Sequence, residues 1–235
     1  MNDPAQMIVS LRIRAYLSTS HIQSAALMAR RAQELEAQGS DDRNQVVYEH
    51  RATVIAAIWS AVGCLEAAIN EVFADASEGN QTRLAGIDEV TTKLWGRTWR
   101  GILGKRSSFS VLEKYGCALE LADRPAFDPG CRPLQDVTDL VKLRNALIHY
   151  VPETLIAGRD PDPQDQHQFE KLFTRRFAIN PLTGKGNPFY PDKLLGHGCA
   201  AWATASTLSF LDDFFHRIGL DPPYHHVRNA LATTK

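Results

Sequence analysis

An arginine, an asparagine and a histidine stand close together near the end of an apolar segment, at Arg144, Asn145 and His149. A guanidinium group binds phosphate through paired hydrogen bonds, an amide can orient it, and an imidazole gains and loses a proton near neutral pH. Together these groups could hold a phosphodiester and move a proton beside it without a metal ion. The spacing therefore indicates phosphate chemistry at this point of the chain.

The segment that carries these residues, 134–150, is predicted to be a helix, because its apolar residues recur at helical spacing and Pro152 follows it. Successive helical residues point about 100° apart, so Asn145 and His149 share one stripe, whereas Arg144 and His149 are separated by about 140°. One helix alone does not bring all three groups together. Either the long arginine side chain wraps around the helix, or a second copy of the chain supplies its arginine across a two-fold axis.

A simpler interpretation is that Arg144 pairs with a surface carboxylate and that His149 caps the helix, because short patterns recur by accident. Against this interpretation stands a resemblance. Residues 144–149, Arg-Asn-Ala-Leu-Ile-His, are similar to the Arg-Asn-x-x-x-His signature of the HEPN superfamily, small all-helical proteins that commonly act as metal-independent ribonucleases. The resemblance covers 134–150 and also 54–75, which is similar to the first core helix of many members.

The resemblance implies a helical bundle that forms a homodimer through its two signature helices and thereby a shared cleft. In such a cleft His149 would act as general base or acid on the ribose 2′-hydroxyl or the leaving 5′-oxygen. Arg144 would hold the scissile phosphate, and Asn145 would position phosphate or imidazole. The products would be a 2′,3′-cyclic phosphate and a 5′-hydroxyl, with no cofactor.

The function that follows from the resemblance is an endoribonuclease of a toxin or phage-defence system. Its partners would be RNA or a nucleotide, a second copy of the chain, and an antitoxin or other defence protein. The alternative is a catalytically inactive dimeric scaffold, or a nucleotide- or RNA-binding module, with the same fold. An intact set of Arg144, Asn145 and His149 favours catalysis.

Two residues of the long apolar helix are predicted to support the site. Glu66 and Asn70 are four residues apart and therefore share one helix face. A carboxylate in an apolar segment is costly to bury unless it has a partner. Glu66 is therefore expected to orient Arg144 or His149, and the equal alternative is a contact with solvent or another basic side chain.

Tyr150 follows His149 directly and is the third residue predicted to lie beside the site. In one HEPN subfamily, paired with a nucleotidyltransferase antitoxin, a tyrosine two residues after the histidine receives a nucleotide. Here that position is Val151, so this modification is not expected. Tyr150 is interpreted as an amphipathic residue at the edge of the core.

Contact with nucleic acid must be local, because the chain has a formal net charge of −1 and a pI near 6.7. Basic side chains do cluster in two places. The first cluster is the predicted nucleic-acid contact and comprises Lys93, Arg97, Arg100, Lys105 and Arg106. The second comprises Lys171, Arg175 and Arg176. For both, the alternative is an ordinary solvated face.

The sequence does not indicate a metal centre, a disulfide or a membrane segment. Cys64, Cys117, Cys131 and Cys199 lack a CxxC pair or histidines at zinc spacing, and are expected to be free thiols in a reducing cytoplasm. The first residues do not have the order of a secretory signal. The longest apolar run, 54–69, is shorter than the roughly 20 residues that span a bilayer, so a buried helix is expected.

Helical periodicity dominates the chain and predicts a single all-α domain, 1–235, built as a bundle of about six to seven helices. Its core would span 43–218, between a helical N-terminal arm at 7–38 and a loosely held tail at 220–235, with an extended loop around 178–191. Within the arm, 7–17 is ambiguous between strand and helix, and helix is favoured. The further predicted helices are 45–76, 82–95, 110–122, 134–150, 164–177 and a last helix that Asp192 caps and Gly219 ends.

Overall fold

The computed structural model describes residues 13–38, 43–104, 109–154 and 166–234 of the chain. All regular structure in these ranges is helical, which confirms the predicted all-α fold. The described ranges contain seven α-helices: α1 Ser18–Ala37, α2 Arg43–Glu78, α3 Glu89–Thr98, α4 Val111–Leu121, α5 Leu134–Ile148, α6 Gln168–Phe173 and α7 His197–Ile218. Short stretches of 3₁₀ or π helix lie at Gln81–Arg83, Trp99–Leu103, Phe189–Lys193 and His225–Leu231.

The centre of the fold is α2, which is 36 residues long and contacts α1, α3, α4, α5 and α7. The segment contains no proline, and apolar residues recur every three or four positions. Five of its large buried side chains are Val54, Ile58, Leu65, Ile69 and Phe73. At 1.5 Å per residue this helix is about 54 Å long, which allows it to contact five of the other six α-helices of the described ranges.

Within the described ranges, one segment, Gln45–Glu78, is apolar and long enough by composition to cross a membrane. This is weak evidence for a membrane, because the core helix of a soluble protein has the same character. In this chain 56% of the most apolar window is buried inside the molecule, against the surrounding helices. The segment forms the central helix of the bundle, and more than half of its most apolar window is packed against other parts of the molecule.

α1 packs along α2 through small residues and belongs to the core rather than to an arm outside it. Ala25, Ala26, Ala29 and Ala32 are fully buried, which allows the two helix backbones to approach closely. Residues 13–17, which precede the helix, are not helical, so the expected helical extension is wrong there. Residues 7–12 lie outside the described part of the chain.

A carboxylate of α2 fixes the start of α1. The side chain of Glu71 accepts hydrogen bonds from the backbone N–H groups of Leu17 and Ser18, at 2.8 and 2.9 Å, and from the Ser18 hydroxyl at 2.7 Å. These bonds satisfy N–H groups that a helix start leaves without an intrahelical partner. α1 therefore begins where α2 offers the Glu71 carboxylate as a hydrogen-bond acceptor. The sequence pattern of α1 alone does not predict this contact.

Two predicted helices are shorter than their patterns suggested. The helix expected at 82–95 begins only at Glu89, because Asp88 accepts a hydrogen bond from the Thr91 N–H at 2.9 Å and caps that position. The helix expected at 164–177 comprises Gln168–Phe173 in the described residues. Its cap is His167, whose Nδ1 accepts from the Phe169 N–H at 3.1 Å, whereas the cap expected at 160–163 lies outside the described residues.

Asp192 does not cap the last helix, which begins five residues later at His197. Its carboxylate instead accepts hydrogen bonds from Arg51 on α2, at 2.6 Å, and from Asn187 in the preceding loop, at 2.8 Å. The loop expected at 178–191 is present and contains a series of turns. Asp192 therefore connects this loop to α2 through hydrogen bonds. The prediction that it caps the last helix is wrong.

The tail is held firmly, and the prediction of a loosely held segment is wrong for the described residues up to 234. Tyr224 is fully buried, and its hydroxyl donates a hydrogen bond to Asp212 on α7 at 2.8 Å. Arg30 on α1 donates to the carbonyl oxygen of Ala230 at 3.1 Å, and a ring nitrogen of His197 lies 3.1 Å from the carbonyl oxygen of Thr233. The tail thus closes over α1 and α7.

Local signals elsewhere were correct. Ser110 and Glu113 form the predicted capping box at the start of α4, with each side chain bonded to the other residue's backbone N–H. All four cysteines are free thiols, as expected. Cys64 and Cys199 are buried, and burial raises the pKa of both thiols well above the ordinary range.

Candidate functional site

α5 is held against the core by the side chains of its inner face. Val137, Leu140 and Leu143 are fully buried, and the helix packs on α2 and α7. The helix ends at Ile148, and His149 occupies the C-cap position. The signature residues that follow Leu143 therefore lie at the rim of the bundle.

Arg144 points from α5 toward α2. Its Nη2 lies 3.4 Å from Oε1 of Glu66, so the sequence-predicted partner of the arginine is in contact with it. The Arg144 side chain is 21% exposed and that of Glu66 41% exposed. The pair is therefore partly solvated, and it contributes on the order of 1 kcal/mol or less to stability.

The Arg144–Glu66 pair lies in a hollow of about 280 Å³ between α2 and α5. Trp59 and Ile148, each about half exposed, contribute apolar surface to it, and Gly63 lines it as well. The Nε of Arg144 is buried and has no hydrogen-bond partner among the described residues. The Arg144 guanidinium thus contacts Glu66 through Nη2, whereas its Nε donor has no partner among the described residues.

Asn145 and His149 lie on the outside of α5 and are exposed. The backbone N–H of His149 donates to the Asn145 carbonyl oxygen at 2.9 Å, which closes the last turn of the helix. The Asn145 side chain lines a hollow on the other flank of α5, facing α6. His149 lines neither hollow. Within one chain, Arg144 and Asn145 therefore line different flanks of the helix, in keeping with the angle of about 100° between successive residues.

No family model, curated protein or solved structure gives a significant match to this chain. The site must be interpreted from its own residues. Among the described residues, no group of three or more histidine, cysteine, aspartate or glutamate side chains is arranged to hold a metal ion. The polar side chains at this end of α5 include the Arg144 guanidinium, the Asn145 amide and the His149 imidazole, with the Glu66 carboxylate in contact with Arg144.

Asn70 and Tyr150, the other predicted supporting residues, have different surroundings. The Asn70 Oδ1 accepts a hydrogen bond from the Lys114 ammonium of α4 at 3.0 Å. Lys114 is itself buried, so Asn70 satisfies a buried charge and joins α2 to α4. Tyr150 is about half exposed at the end of α5. Asn70 therefore acts in helix packing, while Tyr150 stays beside His149.

The first basic cluster borders a hollow of about 430 Å³ between α2 and α3, lined in part by Lys93, Arg97 and Arg100. Lys93 forms an ion pair with Glu89 at 2.6 Å, and Arg100 donates to the Ser77 carbonyl oxygen at 2.8 Å. Arg97 forms no ion pair with a described residue. Part of the positive charge predicted for RNA contact is therefore already neutralised or bonded. Lys105 and Arg106 lie outside the described residues.

In the second basic cluster, Arg176 forms ion pairs within the fold, whereas Lys171 does not form one with a described residue. Arg176 pairs with the buried carboxylate of Asp139 at 2.8 Å and with Asp136 at 3.4 Å, which joins the end of α6 to α5. Lys171 instead lines the hollow beside Asn145. The sequence identifies Lys171 and Arg176 as basic residues of one cluster. It does not show that α6 lies next to the signature residues 144–149.

The segment after α5 is held by contacts that sequence reasoning missed. Glu153 lies 3.3 Å from Nε2 of His167, and the His167 ring stacks on Tyr190 with centroids 4.7 Å apart. Burial raises the pKa of Tyr190 to about 12, and the nearby acidic groups of Tyr150 and Glu153 contribute to this increase. These contacts bring the chain after His149 back against the start of α6.

Proposed function

We propose that this chain is a metal-independent endoribonuclease of the HEPN type, a toxin or phage-defence effector that acts in the cytoplasm. The observation that carries the proposal is the intact set of Arg144, Asn145 and His149 at an accessible helix end. The contact of Glu66 with Arg144 adds support, because it links the two segments that resemble the family.

In the proposed reaction, His149 takes the proton of the ribose 2′-hydroxyl, and the resulting oxygen attacks the adjacent phosphorus. The bond from phosphorus to the 5′-oxygen breaks, and an imidazolium returns a proton to that oxygen. Arg144 offsets the negative charge that develops on the phosphoryl oxygens, and the Asn145 amide donates a hydrogen bond to one of them. A 2′,3′-cyclic phosphate and a 5′-hydroxyl result, and no water is consumed.

The proposed active form is a homodimer in which α5 of one copy faces α5 of the other. Arg144 and Asn145 line different flanks of one helix, so a second copy offers a direct way to bring an arginine to His149. Exposed apolar side chains near this helix end support such an interface, notably Trp59, Ile148 and Val151. An antitoxin or another defence protein would control the dimer by covering the same surface.

A second candidate is an RNA-binding module or dimeric scaffold without catalysis. The observation that favours it is the engagement of Arg144 with Glu66, on the flank of α5 away from Asn145. In a single chain this arrangement leaves the imidazole without the arginine. The two candidates differ in whether RNA is cut.

Incubation of the purified protein with total RNA in EDTA separates the candidates. We expect fragments with 5′-hydroxyl and cyclic phosphate ends from the native protein and none from His149→Ala. The matched control is His216→Ala, since His216 is an exposed histidine on α7 and should not affect cleavage. Equal cleavage by native protein and His149→Ala, or cleavage that EDTA abolishes, contradicts the proposal. Binding of RNA without cleavage favours the second candidate.

A further inference from the structure

The hollow between α5 and α6 has an apolar floor and a polar rim. It measures about 590 Å³, within the range of small-ligand sites. Phe169 and Leu172 of α6 form apolar surface, and the rim carries Asn145, Gln168 and Lys171. An α5–α6 hollow of this composition is suited to a ligand with a flat apolar part, hydrogen-bonding edges and a negative charge.

The polar side chains of this rim have no hydrogen-bond or ion-pair partner in the part of the chain that the structure describes. No carboxylate of the described residues lies within ion-pair distance of the Lys171 ammonium, and the side-chain amides of Asn145 and Gln168 have no hydrogen bond to a described residue. Lys142, at the edge of the same hollow, behaves differently, because it pairs with Asp139 at 3.2 Å. Among the described residues Lys171 is thus a cation without a counter-charge, and it lines the same hollow as the signature residue Asn145.

We propose that the α5–α6 hollow binds one nucleotide of single-stranded RNA, next to the linkage that is cut. Lys171 binds a backbone phosphate, and the amides of Gln168 and Asn145 meet the base edge, since an amide offers both a donor and an acceptor. The face of the base lies over the apolar floor. This inference rests on the proposed function, and it adds Lys171 and Gln168 as substrate-positioning residues outside the signature.

The hollow favours an unpaired nucleotide over a duplex. A base can reach the apolar floor and the amides only when it is unstacked, and sequence-dependent recognition of RNA usually uses such splayed bases. Asn145 lines this hollow and also belongs to the proposed reaction site, so we place the bound nucleotide next to the scissile phosphate. Base identity at this one position should therefore influence binding.

The test measures fluorescence anisotropy of a labelled single-stranded RNA of ten nucleotides with full-length His149→Ala protein, which retains the substrate. Adding Lys171→Gln should weaken binding about tenfold and reduce the slope of log affinity against log salt by about 0.7, the value for one phosphate contact. The matched control is Lys185→Gln, an exposed lysine in the turn before Phe189–Lys193, which should change neither quantity. Thermal melts verify that both variants are folded.

A second variant tests the base contact. Gln168→Leu should reduce the differences in affinity among homopolymers of A, C and U. Equal affinity and equal salt slope for Lys171→Gln and the Lys185→Gln control would overturn the inference, as would preferential binding of duplex RNA or no binding of RNA at all. The two proposals fail differently: cleavage that survives His149→Ala refutes the enzyme, whereas unchanged binding by Lys171→Gln refutes only this subsite.

Discussion

Arg144 on α5 and Glu66 on α2 meet across the groove between their helices, with Nη2 and Oε1 3.4 Å apart. The pair is partly exposed, so we expect Glu66→Gln to change the free energy of unfolding by less than about 1 kcal/mol. If Glu66 orients the guanidinium, the same variant should lower kcat/KM for RNA by about tenfold or more, because small misplacements of a binding group slow catalysis strongly.

The matched control for Glu66 is Glu49→Gln, since Glu49 is another glutamate of α2 that pairs with an arginine, Arg31, at 2.6 Å. This control should leave cleavage unchanged. If Glu66→Gln alters neither RNA cleavage nor urea denaturation, the orienting role of Glu66 is wrong.

A shared cleft predicts complementation between two inactive variants. In a mixed dimer of Arg144→Ala and His149→Ala, one composite site has both native residues and the other has neither. After unfolding and refolding an equal mixture, half of the dimers are mixed, so about one quarter of native activity should return. Cleavage assays on the mixture and on each variant alone provide the measurement. If the mixture stays as inactive as its components, the arginine and histidine do not act across two chains.

Asp75 is a buried carboxylate that joins α2 to the segment before α1. It is buried, forms an ion pair with Arg14 at 2.7 Å, and accepts hydrogen bonds from Tyr16 at 2.9 Å and Asn80 at 3.1 Å. Asp75→Asn removes the buried charge that faces Arg14, which is partly exposed and keeps Glu78 as a partner, and should cost about 2 kcal/mol. Urea denaturation measures this loss. Glu78→Gln, at an exposed carboxylate that also contacts Arg14, should cost less than about 1 kcal/mol.

Tyr224 anchors the tail by its ring as well as by its hydroxyl. Tyr224→Ala removes a fully buried aromatic side chain and should lower the free energy of unfolding by about 4 kcal/mol. Tyr224→Phe removes only the hydroxyl, which lies 2.8 Å from Asp212 and 3.3 Å from the Leu208 carbonyl oxygen, and should cost about 1 kcal/mol. Thermal and urea denaturation of both variants test this order. A tail that contributed nothing to the fold would make the two variants equal to the native protein.

Buried tyrosines should make the fold sensitive to alkaline pH. Burial raises the pKa of Tyr115 and Tyr224 far above its usual value, and that of Tyr190 to about 12. In the unfolded chain these hydroxyls ionise near a pKa of about 10, so above this pH the native state binds more protons than the unfolded state. The free energy of unfolding should therefore fall as the pH rises past about 10. Urea midpoints that stay constant up to about pH 11 would contradict this.

Elements with local signals could be predicted from the sequence. The capping box of Ser110 and Glu113 and the uninterrupted apolar period of α2 contain the information for their own structure within a few residues. The Arg144–Glu66 contact is one of the two alternatives that the sequence left open, and the structure shows it with Glu66 partly exposed. The first two predictions succeed because they depend on neighbours in sequence.

Features that depend on distant partners could not be predicted. Asp192 has the composition of a helix cap, but Arg51, far away in the sequence, determines its place. Tyr224 lies in the segment that the sequence predicts to be loosely held, because nothing nearby in the sequence indicates the α7 surface that buries it. The proximity of Lys171 and Asn145 likewise depends on how α6 docks, and helix periodicity does not specify docking.

Because α2 is the common neighbour of α1, α3, α4, α5 and α7, the chain has no seam along which it could be divided into independent halves. A fragment that ends before α2 and a fragment that begins after it would each lack the surface on which their own helices assemble. Of two co-expressed pieces cut in the turns after Pro181, the piece with α7 would lack α2 and should become protected from proteases only after it binds the other piece. Protection of the α7 piece in a split version of this protein should therefore report the encounter of two chains.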